Sequence, residues 1–372
     1  MHIASSPGPQ AASSKPTATR QVDPNPARPV RDEDAFDAAA VARWLRRGPI
    51  EEVRQFAGGA SNLTYLLRFE SGPDLILRRP PQGTRASGAH DMGREYDVQR
   101  ALRPVFPYVP EMVGHCQDDS VIGSQFYVME RVEGLIPRTD FATPIAADAT
   151  DALCADALDV LVALHGVDVT AVPELARLGK GDGYVARQVS GWTRRFADAR
   201  TAETGDWSDV TDWLAVHQPA DVGQVLIHND YRLDNLVLDP DTLAVEAVLD
   251  WEMATVGDPF MDLGSALAYW VEADDDPLFQ QFRRQPTTTP GMWTRAQLVE
   301  GYCARTGREL PAEAWLFYEV FGLFRLAVIA QQIWYRYANG QTTNEAYAVF
   351  GPAVAALEER CRRLLRDAGV ID

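Results

Sequence analysis

The stretch from Val225 to Gly264, VLIHNDYRLDNLVLDPDTLAVEAVLDWEMATVGDPFMDLG, decides how the chain is read. His228, Asp230 and Asn235 stand at H-x-D-x-x-x-x-N spacing between the apolar runs Val225 to His228 and Leu236 to Leu238, and Asp250 ends a third run, Val245 to Leu249. Short apolar runs bounded by turn residues are strand signals. A carboxylate, an amide and a second carboxylate on neighbouring turns suit magnesium-dependent phosphoryl transfer. One acid orients or deprotonates the acceptor hydroxyl, while the amide and the other acid hold a hard cation against nucleotide phosphates. Singly, such residues are common in loops; the order, spacing and strand context carry the signal.

On the N-terminal side, Asn62 to Glu70 and Asp74 to Arg79 are strand-like runs joined by Ser71-Gly72-Pro73 in a hairpin pattern, and Gln125 to Val132 is a further strand closed by Glu133-Gly134. A helix over 93–102 lies between them. A short helix opens the fold within 31–47, where acids come first and arginines last, as the helix dipole favours. Beyond Gly134 the pattern is helical over 152–165, 184–199, 210–216, 293–305, 315–337 and 352–368, interrupted once by the three short strands. The expectation is an α+β fold of two lobes. Residues 1–30 form a flexible tail, 31–132 a small mainly-β lobe, and 133–372 a larger mainly-helical lobe. Residues 272–290, EADDD followed later by RRQPTTTPG, read as a long solvated surface connector.

The chain has 372 residues, 46% hydrophobic and 24% charged, which places it with globular proteins and not with disordered ones. Lys and Arg number 35 against 53 Asp and Glu, a formal charge of −18 that repels phosphate backbones and anionic lipid, so no nucleic-acid or membrane partner is expected. Residues 1–30 carry +2, which leaves −20 on 31–372. Lysine occurs only at Lys15 and Lys180, so chemistry that needs a lysine has two places to find it. Cys116, Cys154, Cys303 and Cys361 lie far apart without a C-x-x-C pair, which suits a reducing interior. The start lacks a secretory signal's apolar stretch, and Trp315 to Trp334 is broken by Glu319, Arg325 and Gln331, which makes it a buried core helix; a cytoplasmic location is expected. His90, His115 and His217 have no metal-ligand spacing, and His165 reads as a satisfied core histidine.

The catalytic stretch resembles that of the aminoglycoside phosphotransferase family, whose members share the protein-kinase-like fold. It is similar to the branch found alongside or fused to acyl-CoA dehydrogenases, in which H-G-D-Y-R-x-D-N is followed by V-L-D-W-E and G-D-P-x-x-D-L. The resemblance runs from about Asp34 onward. It implies ATP- and Mg-dependent transfer of the γ-phosphoryl group to a small-molecule hydroxyl, with Asp230 as the catalytic acid-base residue and Asn235 and Asp250 as magnesium ligands. His228 then supports the catalytic loop through backbone bonds, and Asp262 anchors that loop. Two departures stand out. Asn229 replaces the usual glycine, and its side chain is expected to point to solvent. Asp250-Trp251-Glu252 replaces the kinase D-F-G, as in this family, and losing that glycine suggests less in/out switching.

The same resemblance gives roles to the first lobe. In QFAGGASN, residues 55–62, the backbone of Gly58 and Gly59 and the hydroxyl of Ser61 would approach nucleotide phosphates, although a Gly-Gly turn before a strand is ordinarily only a turn. Protein kinases grip those phosphates with a strand lysine paired to a helix glutamate. Neither lysine lies on the matching run 75–78, so Arg78 takes the role, with Glu95 as its partner. Arg79 must face the other side, because adjacent strand residues alternate. Glu130 to Val132 match the segment whose backbone bonds the adenine edge, with Met129 as apolar neighbour, though Met129 fits an ordinary buried strand equally well.

Acceptor candidates are Arg187, Gln188 and Trp192 on one helix and Arg325, Tyr335 and Arg336 on another. A charge inside an apolar helix needs a buried acid or an anionic substrate. An aminoglycoside-like cation and a hydroxyacyl-type anion both remain open as acceptors. The alternatives are a small-metabolite kinase of the choline or homoserine type and a non-catalytic nucleotide-binding pseudokinase.

Overall fold

The computed structural model describes residues 27–56, 62–81, 91–342 and 344–371. Strands β1 (Arg28–Pro29), β2 (Ile50–Gln55), β3 (Leu63–Phe69), β4 (Leu75–Arg79), β5 (Met112–Cys116) and β6 (Phe126–Glu130) pair into an antiparallel sheet in the order β1-β2-β3-β4-β6-β5. The β3–β4 hairpin turns through Gly72 at φ 96°, a conformation glycine adopts without strain. Side-chain alternation gives this sheet two apolar faces. Tyr65, Leu67, Leu75, Leu77, Phe126 and Val128 pack under α1 (Ala38–Leu45), while Leu66, Ile76, Tyr127 and Met129 pack under α2 (Met92–Leu102).

Three expectations for this lobe change. Arg28 and Pro29, counted with the tail, pair with Gln55 and Arg54, so the sheet reaches back before residue 31 at an edge position that tolerates proline. The opening helix is split: a 3-10 turn spans Asp32–Asp34, and α1 starts only after Asp37, whose carboxylate caps Ala39 and Ala40. Strand β2 is charged, which hid it from hydrophobic patterning, and its Glu52 pairs with Arg68 of β3 at 2.8 Å.

The chain enters the larger lobe where Leu135 and Leu238 exchange backbone hydrogen bonds at 2.7 and 2.8 Å. A Cβ on Gly134 would lie 2.5 Å from the Leu238 carbonyl oxygen, so only glycine fits this crossing. There follow α3 (Ala147–His165), α4 (Pro173–Ala176), α5 (Tyr184–Asp198) and α6 (Ser208–Val216). Strand β7 (Val225–Ile227) pairs with β10 (Thr255–Gly257), and β8 (Leu236–Leu238) pairs with β9 (Val245–Val248). The remaining helices are α7 (Pro259–Leu267), α8 (Pro277–Phe282), α9 (Arg295–Thr306), α10 (Ala312–Ala338) and α11 (Phe350–Asp367).

Helix α10 is long and apolar enough to cross a membrane by composition alone, but most of its apolar stretch is buried among the other helices, as a core helix should be. Every residue of α7 is buried, so its sequence shows no polar stripe. The two helices touch backbone to backbone: a Cβ on Gly322 would sit 2.2 Å from the Gly264 carbonyl oxygen, and one on Gly264 would sit 2.5 Å from that of Tyr318. Residues 272–290 are not the solvated connector expected. Asp275 pairs with Arg295 at 2.7 Å and with Arg360 at 2.9 Å, Asp276 caps α8, and Gln285 and Thr287 are buried. Arginines neutralise the acidic run and draw it into the lobe.

Candidate active site

The loop between β7 and β8 carries His228, Asp230 and Asn235, and it is held almost entirely by hydrogen bonds. Buried Asp262, on α7, accepts the His228 N–H at 2.9 Å, the Asn229 N–H at 2.7 Å and His165 Nε2 at 3.1 Å. The far side of the His165 ring meets the Tyr302 hydroxyl at 2.8 Å, which satisfies this core histidine on both nitrogens. Burial works against the Asp262 charge, but the bonds and charge from the His165 and His228 side outweigh it, and the carboxyl is held below its usual range. His228 Nε2 donates to the Leu249 carbonyl at 3.0 Å, which leaves Nδ1 to accept the Asp230 N–H at 3.2 Å. Both side chains therefore fix the loop and do not face a substrate.

Asn229 does not point to solvent. Its φ is 65°, the left-handed region where asparagine is tolerated among non-glycine residues. Its amide receives the Tyr184 hydroxyl at 3.3 Å and donates to the Met253 carbonyl at 3.1 Å, while its own carbonyl accepts Arg325 at 2.7 Å. A side chain with partners on both ends replaces the freedom a glycine would supply.

Asn235 Nδ2 donates to the Asp230 carbonyl at 2.9 Å and to Asp230 Oδ2 at 3.0 Å. The Leu249 N–H donates to the Asn235 carbonyl at 2.8 Å, which sets the segment carrying Asp250 beside Asn235. Asp250 holds φ 69° and ψ 59°, a left-handed conformation uncommon for a non-glycine residue and typical of functional sites. Burial, reinforced by Asp250, pushes the Asp230 carboxyl above its ordinary value against the pull of Arg232, Arg325 and His228.

From the first lobe, Arg78 lies on the α2 face of the sheet. One Nη donates to Glu95 at 2.5 Å and the other to Asp250 at 3.1 Å. The Tyr127 hydroxyl donates to Glu95 at 2.8 Å. Arg79 points the opposite way, donating to the Asp34 carbonyl at 2.7 Å and to the Tyr65 hydroxyl at 3.2 Å. Asn62 Nδ2 meets Glu252 at 3.2 Å, and Arg94 of α2 donates to the carbonyls of Glu252 and Ala254. These bonds join the lobes next to Asp250.

Met129 is buried with Leu66, Ile76 and Tyr127. The Glu130 N–H is donated to the Glu111 carbonyl at 2.9 Å, which removes that donor from the groups expected to meet an adenine edge and leaves the N–H groups of Arg131 and Val132. Gly58, Gly59 and Ser61 lie outside the described residues.

Of the acceptor candidates, Arg325 and Trp192 come together next to the loop between β7 and β8. The buried Arg325 guanidinium lies 5.2 Å over the Trp192 ring, which Arg195 also stacks on at 4.7 Å. Within the chain the Arg325 guanidinium meets the Asn229 carbonyl and the Trp192 ring, and its charge also acts on the Asp230 carboxyl. Arg187 donates to the carbonyls of Gly181 and Asp182 and holds that turn. A 400 Å³ hollow near the C-terminal ends of α5 and α10 is lined by Arg195, Tyr335 and Arg336.

Two residues escaped the sequence reading. Arg232 lies inside the quoted stretch, with Nε 3.1 Å from Asp230 and 3.5 Å from Asp234 and its guanidinium 4.6 Å over the Tyr269 ring. Its position two residues after Asp230 was the available signal. Gln285 accepts the Leu233 N–H at 2.7 Å and donates to the Tyr269 carbonyl at 3.2 Å; a polar residue in a polar stretch gives no signal.

Comparison with known proteins agrees with this arrangement. The model of the family described as "Phosphotransferase enzyme family" matches residues 52–299. Acyl-CoA dehydrogenase family member 10 of Mus musculus is 34% identical over 340 residues, covering 89% of this chain and 31% of that protein, so the chain spans about a third of this relative's length. Among solved structures, a Ralstonia eutropha JMP134 protein assigned by name to the aminoglycoside phosphotransferases superposes with a TM-score of 0.75 at 31% identity, covering 90% of this chain and 99% of that one. Choline kinase from Cryptosporidium parvum gives a TM-score of 0.58 at 12% identity over 86% of this chain and 91% of its own, a likeness of fold alone. With a kinase-like fold, a family match over most of its length and the H-x-D-x-x-x-x-N loop at the lobe junction, the chain belongs to the phosphotransferase enzyme family.

Proposed function

We propose that this protein transfers the γ-phosphoryl group of ATP, with Mg²⁺, to a hydroxyl group of a small hydroxyacyl-type compound. The observation that carries the reading is the chain of bonds Glu95–Arg78–Asp250, tied through the Leu249 N–H to Asn235 and from there to Asp230, which draws both lobes to one point. Asp230 would hold the acceptor hydroxyl and take its proton; burial that raises its pKa brings it nearer to the range useful for a base. Arg78, fixed by Glu95, would orient the nucleotide phosphates. Among the described residues no group of three or more His, Cys, Asp or Glu could hold a metal. The donor set that fits Mg²⁺ is instead the Asn235 amide oxygen and the Asp250 carboxylate, hard oxygens few in number as that ion prefers. When bound there, Mg²⁺ supplies charge neutralisation on the phosphates.

The acceptor class is supported by the Arg325–Trp192 pair beside the loop and by the name of the acyl-CoA dehydrogenase relative. The test is ADP release and mass-spectrometric product detection with MgATP and a panel of hydroxyacids, hydroxyacyl thioesters, aminoglycosides, homoserine and choline. Magnesium-dependent phosphorylation of a hydroxyacyl compound is expected. Phosphorylation confined to an amine would overturn the acceptor class, and nucleotide binding without any product would favour a non-catalytic nucleotide sensor.

A further inference from the structure

We infer that a hollow between the 203–205 segment, α10 and α11 is a binding site for a small organic ammonium ion, separate from the phosphoryl-transfer site. It encloses about 250 Å³, and its lining includes Glu203, Gly205, Gln331, Trp334, Gly351 and Glu358. On α10, Gln331 comes six residues after Arg325, the residue that bonds the Asn229 carbonyl, which is ~9 Å along the helix axis at ~1.5 Å per residue. A ligand here is independent of the hydroxyl compound that is phosphorylated.

Gln331 sets the polarity of the wall. It is 1% exposed, and its Nε2 donates to the Ala199 carbonyl at 2.8 Å and to the Thr204 hydroxyl at 3.0 Å. A carbonyl can only accept, so the nitrogen must lie on that side. Both its protons are spent, and Oε1 is left without a hydrogen bond among the described residues. The Thr204 hydroxyl is occupied too, taking the Thr201 N–H at 2.8 Å and meeting the Thr201 hydroxyl at 3.1 Å. Glu358, 7% exposed, pairs through Oε1 with Arg362 at 2.6 Å, and its Oε2 comes so close to the Gly205 backbone that no Cβ would fit there. Glu203 is exposed and makes no ion pair among the described residues. Apart from the Trp334 indole, the polar side chains around the hollow offer accepting oxygens and no unspent N–H or O–H.

A ligand for such a wall must donate, and two carboxylates require that it be positive. Arg362 does not serve Glu358 alone, since it also pairs with Asp209 at 2.7 Å. Burial pushes the Glu358 carboxyl above its ordinary range against the pull of Arg362, so a further cation beside it is stabilising. The Trp334 indole, held against Gly351, adds an aromatic surface that attracts cations and not anions. At ~30 Å³ for each water-sized group, the space holds roughly eight non-hydrogen atoms, enough for a short diamine.

The experiment titrates 1,5-diaminopentane, glutaramide and glutarate into the full chain by isothermal calorimetry. Salt at ~0.15 M screens the general attraction of a −18 chain for cations beyond ~8 Å. None of the three probes carries a hydroxyl, so none can serve as a phosphoryl acceptor. The diamine should bind at one site, and the neutral and anionic probes should not. Glu203→Gln should weaken the diamine ~3-fold and Trp334→Leu ~5-fold or more, with MgATP affinity unchanged. Glu203 is exposed, so its variant keeps the test decisive even where Trp334→Leu fails to fold. Asp230→Asn should leave diamine affinity as in wild type. Equal binding of diamine and glutaramide, or diamine affinity unchanged in both Glu203→Gln and Trp334→Leu, overturns the site. Diamine binding that is lost in Asp230→Asn alone places the amine in the transfer site and overturns the proposal as well.

Discussion

Arg78 and Glu95 face each other at 2.5 Å with side chains only 9% and 1% exposed, so neither can lose its partner without leaving a buried charge. Burial alone pushes Glu95 above its ordinary carboxyl range, and Arg78 pulls against that. Arg78→Ala should cost about 3–5 kcal/mol of stability, the usual penalty for a broken buried pair. The double variant Arg78→Met/Glu95→Leu should recover much of it without recovering nucleotide affinity. Denaturant unfolding and MgATP titration check both halves. ATP affinity unchanged in Arg78→Ala would show that the arginine does not stand in for the missing lysine.

Asp230→Asn should lower kcat by ~10²–10⁴ with nucleotide affinity nearly unchanged. The same substitution should raise stability at neutral pH. The folded carboxyl sits above its ordinary 3.8, so its contribution to stability is fully present below about pH 3.8 and is lost as pH rises through the folded value. Asparagine does not ionise, so the gain in Tm should appear at pH 7 and vanish near pH 3. Thermal melts in EDTA across that range check the sign.

Asp262 behaves in the opposite sense. Its pKa is depressed, so the stability it supplies is complete above about pH 3.8 and is lost as pH falls through the lower folded value. Asp262→Asn should cost about 3–5 kcal/mol at pH 7, because an NH₂ group would meet donors from His165, His228 or Asn229. The acid limb of its unfolding profile should be flatter than that of wild type. Circular dichroism from pH 5 to pH 2 measures the difference.

Gly322→Ala places a methyl group where the Gly264 carbonyl already lies, and neither helix backbone can yield cheaply. A loss of about 1–3 kcal/mol is expected. Because α7 carries Asp262, kcat should fall as well, although residue 322 is no part of the site. Comparison with Ala327→Gly, also on α10 but away from the crossing, separates a general weakening of α10 from displacement of α7.

Most of the fold was legible because it rests on periodicity. Strands β3, β4 and β6 alternate or run apolar between turn residues, and α5 and α11 show plain hydrophobic faces. Strand β2 and helix α7 were not legible, for opposite reasons: the first is charged, the second is buried on every side. At the site, Asp230, Asn235 and Asp250 stood out by residue type, order and spacing, while Arg78 and Glu95 were picked out by the family resemblance, and the structure brings Arg78, Glu95 and Asp250 into contact. The partners that hold them could not. Nothing in the residue letters says that Asn229 bonds Tyr184 and Met253, that Arg325 seeks a carbonyl, or that Gln285 returns from a polar stretch to brace Leu233. Such contacts depend on where the backbone passes, which only the assembled lobes determine.

Arg94 reaches across to Glu252 and Ala254 through their carbonyl oxygens and not their side chains. Every amino acid carries that acceptor. Arg94's part of the stitch is therefore indifferent to which residues occupy those two positions, whereas the Asn62 bond needs the Glu252 carboxylate. Sequence can drift at 254, reshaping what the neighbouring cleft admits, while the grip of one lobe on the other survives.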